Sequence, residues 1–324
     1  MAPSPPMPCS PHTYSLSNFY SATLCSHLYV LGGSLFDARS FPLDRPLPSS
    51  SAFRFDFATF SWTKVAPMIS PRGSFACAAD CDCGRIFVAG GGSRHAMFGA
   101  AGSRMSSVEM YDVERDEWVA LEGLPRFRAG CVGFLVGKEF WVMGGYGEAR
   151  TVSGVFPMDE YYRDGLVMKL MDGCWKWREI GDMWREGERR REAPGIVMLD
   201  ERCFKVLFKI LKLDGYVENS LWHTIFDWYN ISSNRWFMES SVPRKSHLDS
   251  IGFVALDGEL HVMSLLNTAC MIDARKSRQH KRGLPLLIQI YDPNKRKWRS
   301  LTTRPPFSDT LDFKTAVMCT VRLQ

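Results

Sequence analysis

Five tryptophans recur along the 324 residues at nearly even steps, and that recurrence limits the fold more than any other feature. Trp62, Trp118, Trp177, Trp236 and Trp298 lie 56, 59, 59 and 62 residues apart. Seven residues before each stands a large apolar or aromatic residue: Phe55, Tyr111, Leu170, Tyr229 and Tyr291. Asp56, Asp112, Asn230 and Asp292 follow four of these, and Met68, Leu124 and Met183 stand six residues after the first three tryptophans. A chain that repeats itself at this interval builds one supersecondary unit several times, because each unit needs its neighbours to cover its apolar faces.

Each unit contains four short runs rich in Val, Phe, Tyr and Trp, separated by Gly or Asp turns. In the second unit they are "FACAAD", "RIFVAG", "VEMYDV" and "EWVALE". Such runs read as strands, and four strands repeated at this interval predict an all-β chain folded as a β-propeller. Three second strands end in a glycine pair: Gly32-Gly33, Gly90-Gly91 and Gly144-Gly145. A phosphate-binding loop would need Gly-Lys-Ser/Thr opening a helix, and none follows here. The pairs therefore read as structural, placed where a bulky side chain would crowd the ring, while the aromatic residues and tryptophans fill the space between blades.

On these glycine pairs and the aromatic-to-Trp spacing the chain resembles the kelch-repeat proteins, and more narrowly the plant F-box/kelch-repeat proteins. The fourth and fifth units, with "FKVLFKI" and "LHVMSLL" as second strands, lack the glycine pair, and Trp236 and Trp298 hold their register. The expected layout is a kelch-type propeller over 17–324 after a remnant of a preceding blade or linker at 1–16. Five full blades are expected at 17–70, 71–127, 128–188, 189–245 and 246–306. A closing strand at 313–323 would be the innermost strand of an incomplete sixth blade. Five self-sufficient blades sealed by that strand are the alternative.

Strand order places the links between blades and the long second-to-third loops on one face, and tight turns on the other. Formal charges come to about +8 on the long-loop face and about −5 on the tight-turn face. Long loops on a rigid scaffold are where recognition concentrates. The links carry Arg72, Arg126, Arg128, Arg191, Arg244, Lys245 and Arg304. As a converging ring they would suit an acidic or phosphorylated protein target, since guanidinium pairs with carboxylate and phosphate in forked geometry. The other reading is solvated charge that keeps the loops soluble. The basic run "RKSRQHKR" (275–282) carries the same two readings.

Catalytic and metal signals are weak. Cys77, Cys81 and Cys83 fall one short of the four ligands of a structural zinc site. His27, His223 and His261 occupy strand-like positions. No cofactor, nucleic-acid or membrane partner is expected: the net charge is +5, and no apolar run approaches the ~20 residues of a membrane span. The first twelve residues show no basic and apolar secretory signal. The ten cysteines lack paired spacing and read as reduced thiols of a cytoplasmic or nuclear protein. The sequon at Asn230 is then idle.

The resemblance implies a non-catalytic protein-binding module, the substrate-recognition part of an SCF-type ubiquitin ligase receptor. A Skp1-like adaptor would join only through an upstream F-box. No Leu-Pro-rich helical stretch precedes the first repeat, so the F-box is expected to be missing from this chain. A kelch scaffold unrelated to ubiquitination is the nearer alternative. A kelch enzyme of the copper radical oxidase or iron-dependent specifier type is the more distant one.

Overall fold

The computed structural model describes residues 14–37, 47–92, 104–152, 156–170, 175–182, 196–200, 203–211, 222–231, 233, 235–241, 252–265, 285–304 and 319–320. Among them there is no helix. Among the described residues the strands form five four-stranded antiparallel sheets, one per repeat of the chain, and two smaller sheets. The first sheet contains Tyr20–Leu24, His27–Leu31, Ala52–Asp56 and Ser61–Val65. The second contains Ala76–Asp80, Arg85–Ala89, Val108–Asp112 and Glu117–Leu121. The third contains Val132–Val136, Glu139–Met143, Asp164–Lys169 and Trp177–Asp182. The fourth contains Ile196–Asp200, Cys203–Leu211, Trp222–Asn230 and Arg235–Ser241. The fifth contains Gly252–Leu256, Glu259–Leu265, Leu286–Asp292 and Lys297–Thr303. The first strands of successive sheets lie side by side in chain order, which is the arrangement of propeller blades about an axis.

The core lies between blades. Ala22, Leu24, Tyr29 and Leu31 of blade 1 pack against Cys77, Ile86, Val88 and Tyr111 of blade 2. The opposite face of blade 2, with Ala78, Phe87, Ala89 and Val108, packs against Phe140, Val142, Leu166 and Met168 of blade 3. A strand covered on both faces reads as a continuous apolar run, as "IFVA" at 86–89 does.

The sevenfold offset between aromatic and tryptophan is a cross-strand register. Phe55 faces Trp62, Tyr111 faces Trp118, Tyr229 faces Trp236 and Tyr291 faces Trp298. In the three of these pairs whose rings are described, the centroids lie 5.0 Å apart. Blade 3 departs from the pattern: Trp177 pairs with Met168 rather than with Leu170. The residue after the aromatic closes the next turn. Asp56 accepts from the Ala58 amide at 2.7 Å, Asp112 from Glu114 at 3.1 Å, Asn230 from Ser233 at 2.9 Å and Asp292 from Asn294 at 3.0 Å. A short side-chain acceptor two or three residues ahead of a free amide is what Asp and Asn supply.

The glycine pairs determine where the second strands stop. With the pair, that strand is five residues long in blades 1, 2 and 3. Without it, the strand runs to nine residues in blade 4 and seven in blade 5. Gly32 has φ +55°, and a Cβ there would lie 2.5 Å from the Arg72 carbonyl oxygen. Both the backbone angle and the space exclude a side chain.

Two additions were not foreseen. Tyr14–Ser17, which crosses the expected boundary between the remnant and blade 1, pairs with Ser34–Asp37 from the second-to-third loop of blade 1. Leu47–Pro48 joins that pair to make a three-stranded sheet. In blade 3 the equivalent loop folds into a hairpin of Tyr146–Val152 with Phe156–Tyr161. The expected closing strand lies outside the described residues except Cys319 and Thr320. Cys319 sits beside Ser21, on the first strand of blade 1.

Candidate partner-binding face

The link arginines do not share one environment. Arg72 and Arg128, expected on the loop face, are completely buried. Arg72 donates to the Gly90 carbonyl at 2.8 Å and the Ser107 carbonyl at 3.0 Å, and it pairs with buried Glu109. Glu109 in turn accepts from the amides of Ile69 and Ser70 at 2.8 and 3.1 Å. Arg128 repeats the device one blade on, donating to the Gly144 carbonyl at 2.7 Å and to both oxygens of Asp164 at 3.0 and 2.9 Å. A buried guanidinium must be paired and hydrogen-bonded, and these two spend their Nη donors inside the fold.

The backbones of the same residues face the preceding blade. The Arg72 carbonyl accepts from the Gly33 amide, and the Arg128 carbonyl from the Gly91 amide, both at 2.8 Å. Each arginine thus ties one glycine pair through its backbone and the next pair through its side chain. The signal was present in the sequence: an arginine ten residues after Trp62 and again after Trp118. A position fixed relative to the repeat points to a role in the repeat.

The tryptophans work similarly. Trp118 donates its indole N–H to the Ala66 carbonyl at 2.8 Å, and Trp177 donates to the Glu122 carbonyl at 3.0 Å. Both acceptors stand four residues after the tryptophan of the preceding blade. Expected to be largely buried between blades, Trp118 and Trp177 are half-buried, each with its indole N–H on the link of the neighbouring blade. The Ala66 amide is held as well, donating to Asp116 at 2.9 Å, and the Tyr111 hydroxyl donates to the same oxygen at 2.6 Å. These two hydrogen bonds, the Ala66 amide first, hold the Asp116 carboxyl below its ordinary range.

Arg126 alone of the first three link arginines reaches solvent, with 46% of its side chain exposed. It donates to Asp164 at 2.8 Å and lies 3.4 Å from Glu179 on the outermost strand of blade 3. It therefore turns away from the axis rather than toward a channel mouth. Its guanidinium carbon stands 4.7 Å from the Tyr162 ring centroid, and that of Arg128 stands 4.5 Å away. Beside this stack Phe127 is 47% exposed and Tyr161 42%. Arg304 is exposed. Arg191, Arg244 and Lys245 lie outside the described residues, as does the basic run at 275–282.

Other candidate side chains are accounted for locally. Cys77 is buried in its strand, and burial pushes its thiol well above the ordinary range. Cys81 and Cys83 are exposed in the following turn. Among the described residues no cluster of three or more His, Cys, Asp or Glu side chains could hold a metal ion. Lys138 of blade 3 bridges that turn, 3.3 Å from Asp80 and 3.0 Å from Asp82. His27 lies 6.5 Å from Tyr29 between ring centroids. Partial burial lowers the His261 imidazole pKa. The side chain of His223 lies outside the described residues. No helix among the described residues is long and apolar enough to cross a membrane.

Comparison with known proteins fits this geometry. The Kelch motif matches residues 16–69 and 75–125. F-box/kelch-repeat protein OR23 of Arabidopsis thaliana is 56% identical over 98% of this chain, and the match covers 72% of that protein. The chain belongs to the F-box/kelch-repeat family. A second Arabidopsis F-box/kelch-repeat protein, At1g16250, is 26% identical over 76% of the chain and 58% of its own length. Human Kelch-like protein 34 is 33% identical over 40% of the chain and 21% of its own length. This chain therefore spans less than two thirds of both of these relatives. In kelch terms, the buried arginines and the half-buried tryptophans hold the repeat.

Proposed function

We propose that this chain is a non-catalytic protein-binding module, the kelch substrate-recognition part of an SCF-type ubiquitin ligase receptor. Its 56% identity to an F-box/kelch-repeat protein supports the ligase setting. In that setting an F-box outside the kelch repeats engages a Skp1-like adaptor, and the propeller selects the target in the cytoplasm or nucleus. The ring comprises five full blades, and the segment 313–323 begins a sixth.

The observation that carries the binding reading is the exposure of Arg126, Phe127 and Tyr161. Arginine and aromatic residues dominate binding hot spots, and here Tyr162, Asp164 and Glu179 hold the arginine in place before any partner arrives. Arg126 and Arg304 are the cations of the link set left to meet an acidic or phosphorylated target among the described residues. The test is affinity capture from plant extract under proteasome inhibition, comparing wild type with R126A/F127A/Y161A. The variant should melt as wild type does and lose the captured proteins. Capture of the same proteins with the same affinity by the variant would refute this placement. In parallel, the chain fused to the F-box region of its Arabidopsis relative should co-purify with a Skp1-like adaptor and promote ubiquitination of the captured target. Failure of that arm alone would leave a kelch scaffold outside ubiquitination.

A further inference from the structure

The turn between the first and second strands is not the same length in every blade. Two residues make it in blades 1, 3 and 5: Cys25 and Ser26, Gly137 and Lys138, Asp257 and Gly258. Blade 2 uses four, Cys81, Asp82, Cys83 and Gly84, and two of them carry thiols. Both of these cysteines are exposed, whereas Cys77 is buried in the strand before them. A Cβ on Gly84 would meet nothing within 4 Å, so nothing crowds the end of the turn.

Cys83 sits at a contact between blades. Lys138, from the equivalent turn of blade 3, places its ammonium 3.9 Å from the Cys83 sulfur while it holds Asp80 at 3.3 Å and Asp82 at 3.0 Å. The Cys83 thiol also hydrogen-bonds the Asp80 carboxylate. Asp80 is 6% exposed and the Lys138 side chain 38%, so the cation is within reach of both the sulfur and solvent. The second thiol is within reach too. A chain bent through a turn holds the Cα atoms of residues i and i+2 about 5.5 Å apart, inside the range a disulfide needs.

From this pair of thiols and the cation beside one of them, we infer that Cys81 and Cys83 form a reversible thiol–disulfide site whose oxidant is a small disulfide of the glutathione class. The Cys83 thiolate, with the Lys138 ammonium beside it, attacks one sulfur of the oxidant and releases one small thiolate. The Cys81 thiolate then attacks the Cys83 sulfur of the mixed disulfide and releases the second. The two protein thiol protons pass to the released thiolates. Two protein thiols and one small disulfide thus become one protein disulfide and two small thiols. Exposed disulfides are the labile, regulatory ones, and a transient disulfide of this kind is compatible with a reducing compartment. Oxidation removes the thiol proton that Cys83 donates to Asp80 and turns its sulfur toward Cys81, which loosens the tie between the turns of blades 2 and 3. Lys138 is a positioning residue here. The inference does not depend on the ligase reading.

The test equilibrates the full chain with reduced and oxidised glutathione, quenches with acid, alkylates the unfolded chain and maps the tryptic peptide 73–85, which carries Cys77, Cys81 and Cys83. In oxidising mixtures the peptide should lose two hydrogen atoms, carry one alkyl group on Cys77 and show a link between Cys81 and Cys83. An excess of reduced glutathione should reverse the link. C81S should stop at a mixed disulfide on Cys83. K138M should slow formation of the link by about two- to fivefold, the kinetic equivalent of losing an exposed ion pair. The oxidised wild type should melt below the reduced chain, and K138M should remove that difference. A peptide that stays unlinked, a separate glutathione on each thiol or a link through Cys77 would each overturn the inference. Equal rates in wild type and K138M would remove Lys138 from it, and equal melting of the oxidised and reduced chains would refute the loosened tie.

Discussion

Trp118 donates its indole N–H across the blade boundary to the carbonyl of Ala66, at 2.8 Å. The packing and the hydrogen bond of this tryptophan can be separated. Trp118→Phe keeps much of the ring and leaves the carbonyl unpaired, which should cost ~1 kcal/mol. Trp118→Ala also removes the packing and should cost ~3 kcal/mol, the lower end for large aromatics because one edge is already in water. Urea titrations of both variants would show this order. Equal losses would mean that the hydrogen bond contributes nothing.

Arg72 and Glu109 form a fully buried ion pair. Removing one partner strands the other charge, so Arg72→Met or Glu109→Gln should each destabilise by ~3–5 kcal/mol. The double variant should lose much less than the sum, because no unpaired charge remains. Additive losses in denaturant titrations would show that the two side chains act separately.

Gly90 and Gly84 both have positive φ, but their surroundings differ. A Cβ on Gly90 would collide with the Arg128 carbonyl, whereas one on Gly84 meets nothing within 4 Å. Gly84→Ala should cost about 1 kcal/mol from the left-handed backbone alone. Gly90→Ala should cost clearly more, since the blade link would have to move. Thermal melts of the two variants under one buffer provide the comparison.

Asp116 gives the chain an acid-side weakness at the boundary between blades 1 and 2. Its carboxyl pKa is lowered in the fold by the Ala66 amide and the Tyr111 hydroxyl. The unfolded chain therefore binds more protons than the native chain between the two pKa values, and stability rises with pH through that window. The contribution is complete above the ordinary aspartate range and fades as pH falls toward the lowered value. Asp116→Asn should flatten the acid limb of a plot of melting temperature against pH and leave its slope near neutrality unchanged.

The strand period, turn chemistry and repeat spacing were legible because each is local. Tyr111 and Trp118 face each other across one turn, and Asp112 caps that turn, so eight residues of sequence contain the whole device. Arg128 was misplaced because its partners, Gly144 and Asp164, lie 16 and 36 residues away. Counting charge on the link face could not show that a guanidinium turns inward to a glycine carbonyl. Leu170 was paired with Trp177 on spacing alone. The third blade breaks that spacing, and Met168 takes the place. The hairpin at 146–161 takes the place of the second-to-third loop of blade 3 and lies outside the four-strand repeat.

Arg72 and Arg128 each stand ten residues beyond the tryptophan of the blade they leave, with backbone on one glycine pair and side chain on the next. That double attachment holds the links of the first two blades to a fixed length. An insertion there would pull a buried cation off its acid, whereas an insertion between the second and third strands only lengthens a loop at the surface. Length variation among descendants of this chain is thereby channelled to the second-to-third loops. New recognition surfaces can arise there by addition, without renegotiating how the blades are joined.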